Sequence, residues 1–430
     1  MRVLWIATKP PWPAVDGGRL VQWLTLEALA AAGVETTLVA PVPTVEEARA
    51  ASERLALFLE PRLVVARPMP TAWTLLLSRL ERHPFSVRRH TQPRVAREAA
   101  RLLSARRFDV IHVEQVQALR QVPATCLAGE LGARSGGRHL PVVLRAQNVE
   151  SDIWSAVGAV EGGVRGLVAR SEARRFARYE RRAVRAAAIP VAFTREDAVR
   201  LAALAACAAS EGSGGENERP YPIEVVSAPF PRNLPGGDRE LAGSPAVVFL
   251  GSPGWLPNHD AASWFREQIW PQVAGRNRGA WLHVFGEGFG PGRDGSTGAT
   301  ERLTFHPSPR DLRTVFARGS IMVVPLRIAS GIRMKILEAW SRGVPVVATS
   351  IAARGLDATD GRELLLADDP QGFAEAVARL TEEPGLAERL VARGRARLAE
   401  RHDPGRVAEQ LIRIYREAAG GEGGGQPDAR

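Results

Sequence analysis

Lysine and cysteine are both nearly absent from this 430-residue sequence. Only Lys9 and Lys335 are lysine among its 57 basic residues. The two cysteines, Cys126 and Cys207, are too few for a disulfide framework or a four-cysteine zinc site, so we expect both to be buried as small apolar residues. No uncharged apolar run reaches the ~18 residues of a membrane-spanning helix, and no N-terminal signal segment is recognisable, which predicts a cytoplasmic protein.

Aromatic residues are also scarce, at 6% of the chain. They are too few to interleave with arginine in a stacking groove, so nucleic acid is not an expected partner. The net positive charge lies in the first part of the chain: residues 1–200 carry a net charge of +11, and the remainder carries −1. This part could attract an anionic substrate or anionic lipid. Arginine enrichment through genomic base composition is the alternative explanation.

Strand-like runs alternate with helical segments twice, first from 1–8 to 189–194 and again from 246–251 to 344–349. Such alternation predicts parallel sheets, and the length allows two cores, so we predict an α/β fold with two Rossmann-like domains facing a cleft. The predicted parts are an N-terminal domain over 1–228, a C-terminal domain over 229–405, a helix over 406–419 that packs back toward the N-terminal domain, and a disordered tail over 420–430.

The most informative segment is 322–349, which reads MVVPLRIASGIRMKILEAWSRGVPVVAT. Apolar runs at its ends predict strands, Gly331 breaks the first, and helical spacing follows up to Trp340. Arg333 and Lys335 stand at the entrance of that helix, where backbone N–H groups without partners and the helix dipole already favour an anion. Two cations at such a position indicate a binding site for a diphosphate.

Glu338 follows Lys335 by three residues, so both side chains are predicted to project from the same helix face. An ordinary surface ion pair between them is one interpretation. The other is a division of labour, in which the cations neutralise a diphosphate and Glu338 accepts hydrogen bonds from a ribose diol. An ionised carboxylate suits a diol because it offers two acceptor oxygens.

Glycine turns follow the first strand of each predicted domain. In the first domain the run DGG at 16–18 precedes a helix, and Lys9 lies on the same loop. In the second domain the run GSPG at 251–254 follows the strand, and Asn258 is a candidate N-cap. Turns of this kind let backbone N–H groups approach a ligand at the carboxyl ends of the strands, although each is equally compatible with a plain capped turn.

The run GIRMKILEAWSRGVPVVATSIAARGLDATDGRELLLADDP at 331–370 resembles the donor-binding segment of GT-B glycosyltransferases, particularly the retaining GT4 group. The run FLGSPGWLPNHDAASWFREQIWP at 249–271 resembles the first strand and loop of the donor domain in relatives that make bacterial surface polysaccharides. In the N-terminal half, KPPWPAVDGGR at 9–19 resembles their glycine loop, and FDVIHVE and RAQNVE resemble two further strand ends. The resemblance covers nearly the whole chain.

This resemblance implies transfer of a sugar, with retention, from a nucleoside-diphosphate-sugar donor to a glycan, lipid-linked or small-molecule acceptor, with no metal and no other cofactor. It assigns Lys335 and Arg333 to the leaving diphosphate and Glu338 to the ribose. With the turns above, the other donor-side candidates are Ser330, Gly331, Ile332, Gly251, Ser252, Asn258, Phe305, His306, Pro307 and Arg310, of which His306 and its neighbours fall where the base is held. The N-domain candidates at the cleft are Lys9, Asp16, Gly17, Gly18, Gln147, Asn148 and Glu150.

Three features depart from the family pattern. Ser330 stands where many members have a second Glu, Gln147-Asn148 replaces a His-Asn type of pair, and GSPGWLPN lacks the usual Arg and Lys-Gly pair. Two alternative functions therefore stay open: a GT-B sugar-nucleotide epimerase, and a sugar-nucleotide-binding protein with impaired catalysis.

Arginine clusters mixed with apolar residues occupy 73–107 and 169–188. One interpretation is peripheral contact with an anionic membrane, which would place the protein at the inner face of that membrane. The other is a pair of solvated arginine-rich helix faces.

Overall fold

The computed structural model describes residues 1–67, 69–127, 140–206, 221–237, 240–252, 254–290, 302–309 and 311–420. The chain forms two compact units, one from Met1–Ala228 together with the chain from Pro404 onward, the other from Pro229–Asp403. The return to the first unit comes two residues before the predicted position 406, because proline suits the first turn of a helix. Of the tail predicted over 420–430, Gly420 ends a helix and the rest lies outside the described residues, as do Cys207 and Arg310.

A seven-stranded sheet forms the centre of the first unit, and every neighbouring pair in it is parallel. Its order is β3-β2-β1-β4-β5-β6-β7. The strands are β1 Arg2–Ala7, β2 Glu35–Val42, β3 Glu60–Val65, β4 Val110–Glu114, β5 Val142–Ala146, β6 Ile189–Ala192 and β7 Glu224–Val225. The helices are α1 Gly17–Ala31, α2 Val45–Leu55, α3 Thr71–Leu80, α4 Phe85–His90, α5 Pro93–Ala105, α6 Glu150–Val160, α7 Gly163–Ala186, α8 Arg195–Ala206 and α15 Pro404–Gly420.

The central strands β1, β4 and β5 are largely apolar and buried, as expected for strands covered on both faces of a parallel sheet. Alternate residues of β1 serve the two faces: Leu4 and Ile6 enter a core shared with α5 and α7, whereas Val3 and Trp5 enter a core shared with α1 and α15. Helix α15 contributes an apolar stripe to the second core. The stripe consists of Val407, Ala408, Leu411, Ile414, Tyr415 and Ala418. Cys126 packs at the margin of the first core and is only half-buried, contrary to the expectation of full burial.

The second unit contains a six-stranded parallel sheet in the order β10-β9-β8-β11-β12-β13. Its strands are β8 Ala246–Leu250, β9 Trp281–Phe285, β10 Leu303–His306, β11 Ser320–Val324, β12 Val346–Ala348 and β13 Leu365–Leu366. Its helices are α9 Leu256–Trp264, α10 Trp270–Arg276, α11 Met334–Arg342, α12 Ser350–Ala353, α13 Pro370–Glu382 and α14 Leu386–Arg401, with a π-helical turn over Phe265–Ile269. The predicted α/β class with two parallel-sheet domains is confirmed. Within the described ranges no helix is both long and apolar enough to span a bilayer.

Helix α14 lies directly against α11, and a glycine makes this possible. A Cβ atom placed on Gly394 would lie 2.5 Å from Cγ of Trp340, a side chain that is fully buried. The indole therefore occupies the space of a missing methyl group. Helix α11 carries the basic entrance described above. The packing of its Trp340 on Gly394 holds α11 in place against α14.

We expect Gly394→Ala to destabilise the protein, although alanine has the better helix propensity by ~1 kcal/mol. Overpacking a filled core costs about 1–3 kcal/mol, which outweighs that gain. The matched control is Gly275→Ala in α10, where an added Cβ meets nothing within 4 Å. Thermal melts should give a lower midpoint for Gly394→Ala and an equal or higher one for Gly275→Ala. Equal midpoints for both variants would contradict the packing argument.

Candidate functional site

The N-terminal end of helix α11, its entrance, is electropositive. The loop from β11 turns at Gly331, whose φ of 74° lies in the left-handed region, and the helix begins at Met334. No side chain caps the first turn, and none of its residues is acidic. The helix ends at Gly343, also left-handed. The positive end of the helix dipole at this entrance therefore has no acidic side chain of the first turn beside it.

Lys335 connects this entrance to the neighbouring strand. Its Nζ donates hydrogen bonds to the Leu250 carbonyl oxygen at 2.5 Å and to Asn258 Oδ1 at 3.0 Å, and it lies 5.3 Å from the centre of the Phe249 ring. Leu250 ends β8, and α11 follows β11, the strand beside β8. Because β9 lies on the other side of β8, Lys335 sits where the strand order reverses, the place at which open parallel sheets bind ligands.

The charge on Lys335 is poorly compensated. Its two hydrogen-bond acceptors are neutral, and no carboxylate among the described residues lies within ion-pair distance of Nζ. Burial, together with the nearby charge of Arg333, lowers the pKa of Lys335 to about 7. Arg333 is itself buried. An anion bound here would stabilise the ammonium form and raise that pKa.

Asn258 was predicted as an N-cap, and that prediction is wrong. Helix α9 begins one turn earlier, at Leu256, because Pro257 suits the first helical turn. The Asn258 side chain instead turns inward: Nδ2 donates to the Ser252 carbonyl oxygen at 3.2 Å while Oδ1 accepts from Lys335. Gly251 leaves room for it, since a Cβ there would lie 2.9 Å from Asn258 Cγ.

Glu338 does not pair with Lys335, so the surface ion pair considered above is absent. The Glu338 carboxylate is buried and accepts from Arg342 Nε at 2.9 Å, one turn further along α11. Burial raises the pKa of Glu338, and Arg342 opposes that effect. Arg342 is anchored in turn by the Pro235 carbonyl oxygen at 2.6 Å. The carboxylate is thus held in one orientation on the helix that carries Lys335.

His306 ends β10 and belongs to an aromatic stack. Its ring lies 4.2 Å from that of Phe285, nearly parallel to it, and its Nε2 is 2.9 Å from Nδ1 of His283. His283 Nε2 donates to the Ala242 carbonyl oxygen at 2.9 Å, so its Nδ1 accepts from His306. Burial lowers the pKa of His283, which keeps that ring neutral. Phe305 is half-buried and Pro307 exposed beside it.

Ser330 and Ile332 are partly buried on the loop that enters α11. Ser330 therefore lies on the loop that leads into the basic entrance.

In the first unit, Asp16 caps helix α1. Its Oδ1 accepts from the Arg19 backbone N–H at 2.9 Å, and its Oδ2 accepts from Lys9 Nζ at 2.7 Å. Burial of Asp16 acts to raise the pKa of its carboxyl group, but Lys9 and the capping bond reverse the direction, so it is lowered. The predicted glycine turn is therefore a capped helix start, with Gly17 and Gly18 as its first residues.

Gly18 is in tight contact with two amide side chains. A Cβ on Gly18 would lie 2.9 Å from Gln147 Oε1 and 3.5 Å from Gln115 Nε2. Gln115 Nε2 donates to Gln147 Oε1 at 2.7 Å, and Thr8 Oγ1 donates to Gln115 Oε1 at 2.6 Å. Gln115 has a φ of 73°, a strained value for a non-glycine residue. The sequence contained no signal for Gln115, since only its contacts distinguish it.

A buried ionic network lies beneath these amides. Glu114 accepts from Gln147 Nε2 at 2.7 Å and from Arg145 Nη2 at 2.7 Å, and His112 Nε2 lies 3.1 Å from it. Burial acts to raise the pKa of Glu114, but Arg145 and His112 outweigh it and the carboxyl stays ionised. Burial lowers the pKa of His112 to about 4, so its neutral ring donates to Glu114 through Nε2 and accepts from Tyr415 through Nδ1 at 2.8 Å.

Glu150 and Asn148 lie at the start of α6 rather than at the Gly18 contact. The Glu150 carboxyl bonds with Gln117 and Asn148, and burial raises its pKa. Its backbone N–H donates to Glu180 Oε1 at 2.6 Å, so these residues form the entrance of α6. Another residue that the sequence did not indicate is His90 at the end of α4, where burial and then Lys9 lower the pKa to about 4.

No cluster of three or more His, Cys, Asp or Glu side chains suited to a metal ion occurs in the described part of the chain.

Comparison with known proteins finds a family match to part of the second unit. The family described as "Glycosyl transferases group 1" matches residues 244–383, the span from β8 to α13 that holds Leu250, Asn258 and Lys335. A curated relative from Klebsiella pneumoniae, an uncharacterized 44.6 kDa protein in the cps region, is 21% identical over 178 residues. That match covers 39% of this chain and 45% of the relative, so less than half of the relative's length is represented.

Solved structures match over nearly the whole chain. Anabaena Alr3699/HepE, in complex with UDP and glucose, has a TM-score of 0.62 at 16% identity, with 96% of this chain and 99% of that chain covered. Sucrose-phosphate synthase from Thermosynechococcus elongatus has a TM-score of 0.61 at 15% identity, with 98% and 99% covered. At such identities the likeness shows the fold. Residues 244–383 thus form a group 1 glycosyl transferase domain, in a chain with the two-domain GT-B architecture.

Proposed function

We propose that this protein moves a sugar from a nucleoside-diphosphate-sugar donor to an acceptor hydroxyl. The observation that carries the proposal is the poorly compensated ammonium of Lys335, placed beside Arg333 and the uncapped start of α11 at the order reversal of the second sheet. The group 1 match over these residues supports it. The complex of HepE with UDP-glucose, a protein of the same fold, supports a nucleotide-sugar as the donor.

In the proposed reaction the bond between the anomeric carbon and the β-phosphate oxygen breaks, the acceptor hydroxyl oxygen bonds to that carbon, and the hydroxyl proton passes to the departing diphosphate. Negative charge develops on the departing diphosphate. Lys335, Arg333 and the first backbone N–H groups of α11 stabilise that charge, and they need no reorganisation because they are fixed in place. The proposal includes retention of configuration and independence from metal ions.

Two further contacts complete the donor site in this proposal. The fixed carboxylate of Glu338 accepts hydrogen bonds from the ribose diol, in the orientation that Arg342 imposes. The stacked rings of His306 and Phe285 present an aromatic surface to the base. On the acceptor side we propose the start of α1 with Gly17, Gly18 and Lys9. A glycan or lipid-linked acceptor fits the cps-region relative.

A binding and turnover panel tests the proposed activity. UDP-, GDP- and dTDP-sugars are screened for thermal stabilisation, and the stabilising donor is then incubated with and without acceptors, in the presence and absence of EDTA. We expect one nucleotide to stabilise the protein, and release of the nucleoside diphosphate to depend on acceptor and to survive EDTA. Acceptor-free epimerisation would indicate the epimerase, and binding without turnover would indicate the binding protein.

The pKa of Lys335 predicts how donor affinity changes with pH. Below about 7 the ammonium is already charged, so affinity should be constant there. Above that pKa the free protein holds a neutral amine and must take up a proton to bind the diphosphate, so Kd should rise by up to about tenfold per pH unit. Calorimetric titration of UDP-glucose between pH 6 and 9 measures this. A nucleotide sugar is the right probe because its diphosphate does not itself titrate in this range.

Two variants are the controls for this pH dependence. Lys335→Arg stays charged throughout and should bind with a Kd that no longer varies with pH, whereas Lys335→Met should bind weakly at every pH. If Lys335→Met kept the wild-type pH dependence, another group would be responsible and the assignment of Lys335 would be wrong.

Gly18→Ala tests the acceptor side separately. The added Cβ displaces Gln147 from its contact with the start of α1, and such a shift of a positioned group should lower kcat by about tenfold or more. The Kd for the donor should stay unchanged, because Gly18 is not in the donor domain. Gly275→Ala is the matched glycine control. A wild-type kcat in Gly18→Ala would exclude a role for this contact in catalysis.

A further inference from the structure

Helix α3 is oriented opposite to an ordinary surface helix. Its buried face carries two hydroxyl side chains, Thr74 and Ser78, each 1% exposed. Its exposed face carries Trp73, Leu76 and Leu80, which are 59%, 49% and 70% exposed. These three recur at helical spacing and form one stripe. Surface helices normally bury the apolar stripe, so this arrangement needs an apolar or interfacial partner.

The inward hydroxyls make this orientation stable without outside partners. Thr74 Oγ1 donates to the Pro70 carbonyl oxygen at 3.0 Å, and Ser78 Oγ donates to the Leu75 carbonyl oxygen at 2.8 Å. Both groups are therefore satisfied by their own helix. The polar face can lie against the domain at little cost, and the apolar stripe remains outside.

A second exposed apolar stripe begins helix α7. Val164, Leu167 and Val168 are exposed there, and Val160 is exposed just before it. Helix α4, which follows α3, is bonded to α7: the Phe85 backbone N–H at its start donates to Glu172 Oε2 at 2.8 Å. Of the sixteen large exposed apolar side chains in the described residues, nine lie within residues 69–80 and 160–168. The apolar residues predicted for membrane contact within 169–188 are instead mostly in the core.

The charges around these stripes are mostly positive. Residues 69–89 contain four arginines and one carboxylate, Glu81, which pairs with Arg88 at 3.3 Å. Residues 160–178 contain five arginines and two carboxylates, of which Glu172 is buried. Arg79, Arg82, Arg165 and Arg174 are exposed. Exposed tryptophan and leucine among arginines match a layer of anionic headgroups above acyl chains.

We propose that the outer face of α3 and the start of α7, which we name the interfacial face, dock on an anionic phospholipid bilayer. Trp73, Leu76 and Leu80 enter the headgroup region, and the surrounding arginines contact phosphates. This inference is independent of the proposed sugar transfer. If both hold, the protein meets lipid-linked acceptors at the membrane surface.

Co-sedimentation with vesicles tests the interfacial face. The wild-type protein should bind phosphatidylcholine vesicles that contain phosphatidylglycerol, should bind pure phosphatidylcholine much less, and should lose binding as salt is raised. The variant Trp73→Ser/Leu76→Ser/Leu80→Ser should bind the anionic vesicles at least about tenfold more weakly. The matched control, Val45→Ser/Leu57→Ser/Val199→Ser, removes equally exposed apolar residues elsewhere in the same domain and should bind like wild type.

Circular dichroism and thermal melts show whether both triple variants are folded. Absence of wild-type binding to anionic vesicles at low salt would overturn the proposal, as would equal loss in the control variant. Light scattering tests whether a second copy of the chain occupies the interfacial face. A wild-type protein that is a dimer and does not bind vesicles, together with an α3 variant that is a monomer, would assign the interfacial face to that second copy.

Discussion

The ammonium group of Lys335 is the contact on which the geometry of the second domain's site depends. It joins the first turn of α11 to the carboxyl end of β8 through the Leu250 carbonyl oxygen, and it fixes Asn258 at the same time. A charged group in this environment loses hydration, and two neutral acceptors return only part of that free energy. The pKa of Lys335 is lowered because the lost hydration is only partly replaced. A diphosphate would supply the missing charge, so in the proposed reaction donor binding and stabilisation of the leaving group would have the same physical origin.

The first domain uses a complementary arrangement. There the buried charges compensate each other, because Glu114 and Arg145 form an ion pair with no exposure to solvent. Removing one member of such a pair costs about 3–5 kcal/mol, so the pair is a firmly held support for the residues bonded to it. Gln147 is bonded to it and contacts Gly18. The second sheet thus places a poorly compensated cation at its order reversal. The first sheet instead places neutral amide side chains next to a buried ion pair whose charges cancel.

The sequence predicted those parts of the molecule whose physics is local. Strand, glycine turn and helix in 322–349 follow from apolar periodicity and glycine punctuation, and the structure has them as β11, α11 and β12. Strands β3, β7, β10 and β13 were not predicted. Strand β3 contains Pro61 and Arg62 and is only half-buried, β10 has four residues, and β7 and β13 have two each, so none has a pattern that separates it from a loop.

The partners of the site residues could not be predicted, because they are distant in sequence. Leu250 is 85 positions from Lys335, and its contribution is a backbone carbonyl that any residue would offer. Asn258 was misplaced because the proline before it starts the helix early. The stretch 73–107, which holds most of α3, was one of two candidates for membrane contact. The sequence did not show that the apolar stripe of α3 faces outward, because periodicity identifies a stripe but not the side that is buried.

A structure of the protein with UDP-glucose, or with whichever nucleotide sugar binds most tightly, tests the central claim most directly. The account predicts that Nζ of Lys335 lies within hydrogen-bond distance of a β-phosphate oxygen, with Arg333 and the first N–H groups of α11 on the same diphosphate and Glu338 on the ribose. A diphosphate bound elsewhere, with Lys335 still bonded only to Leu250 and Asn258, would contradict it.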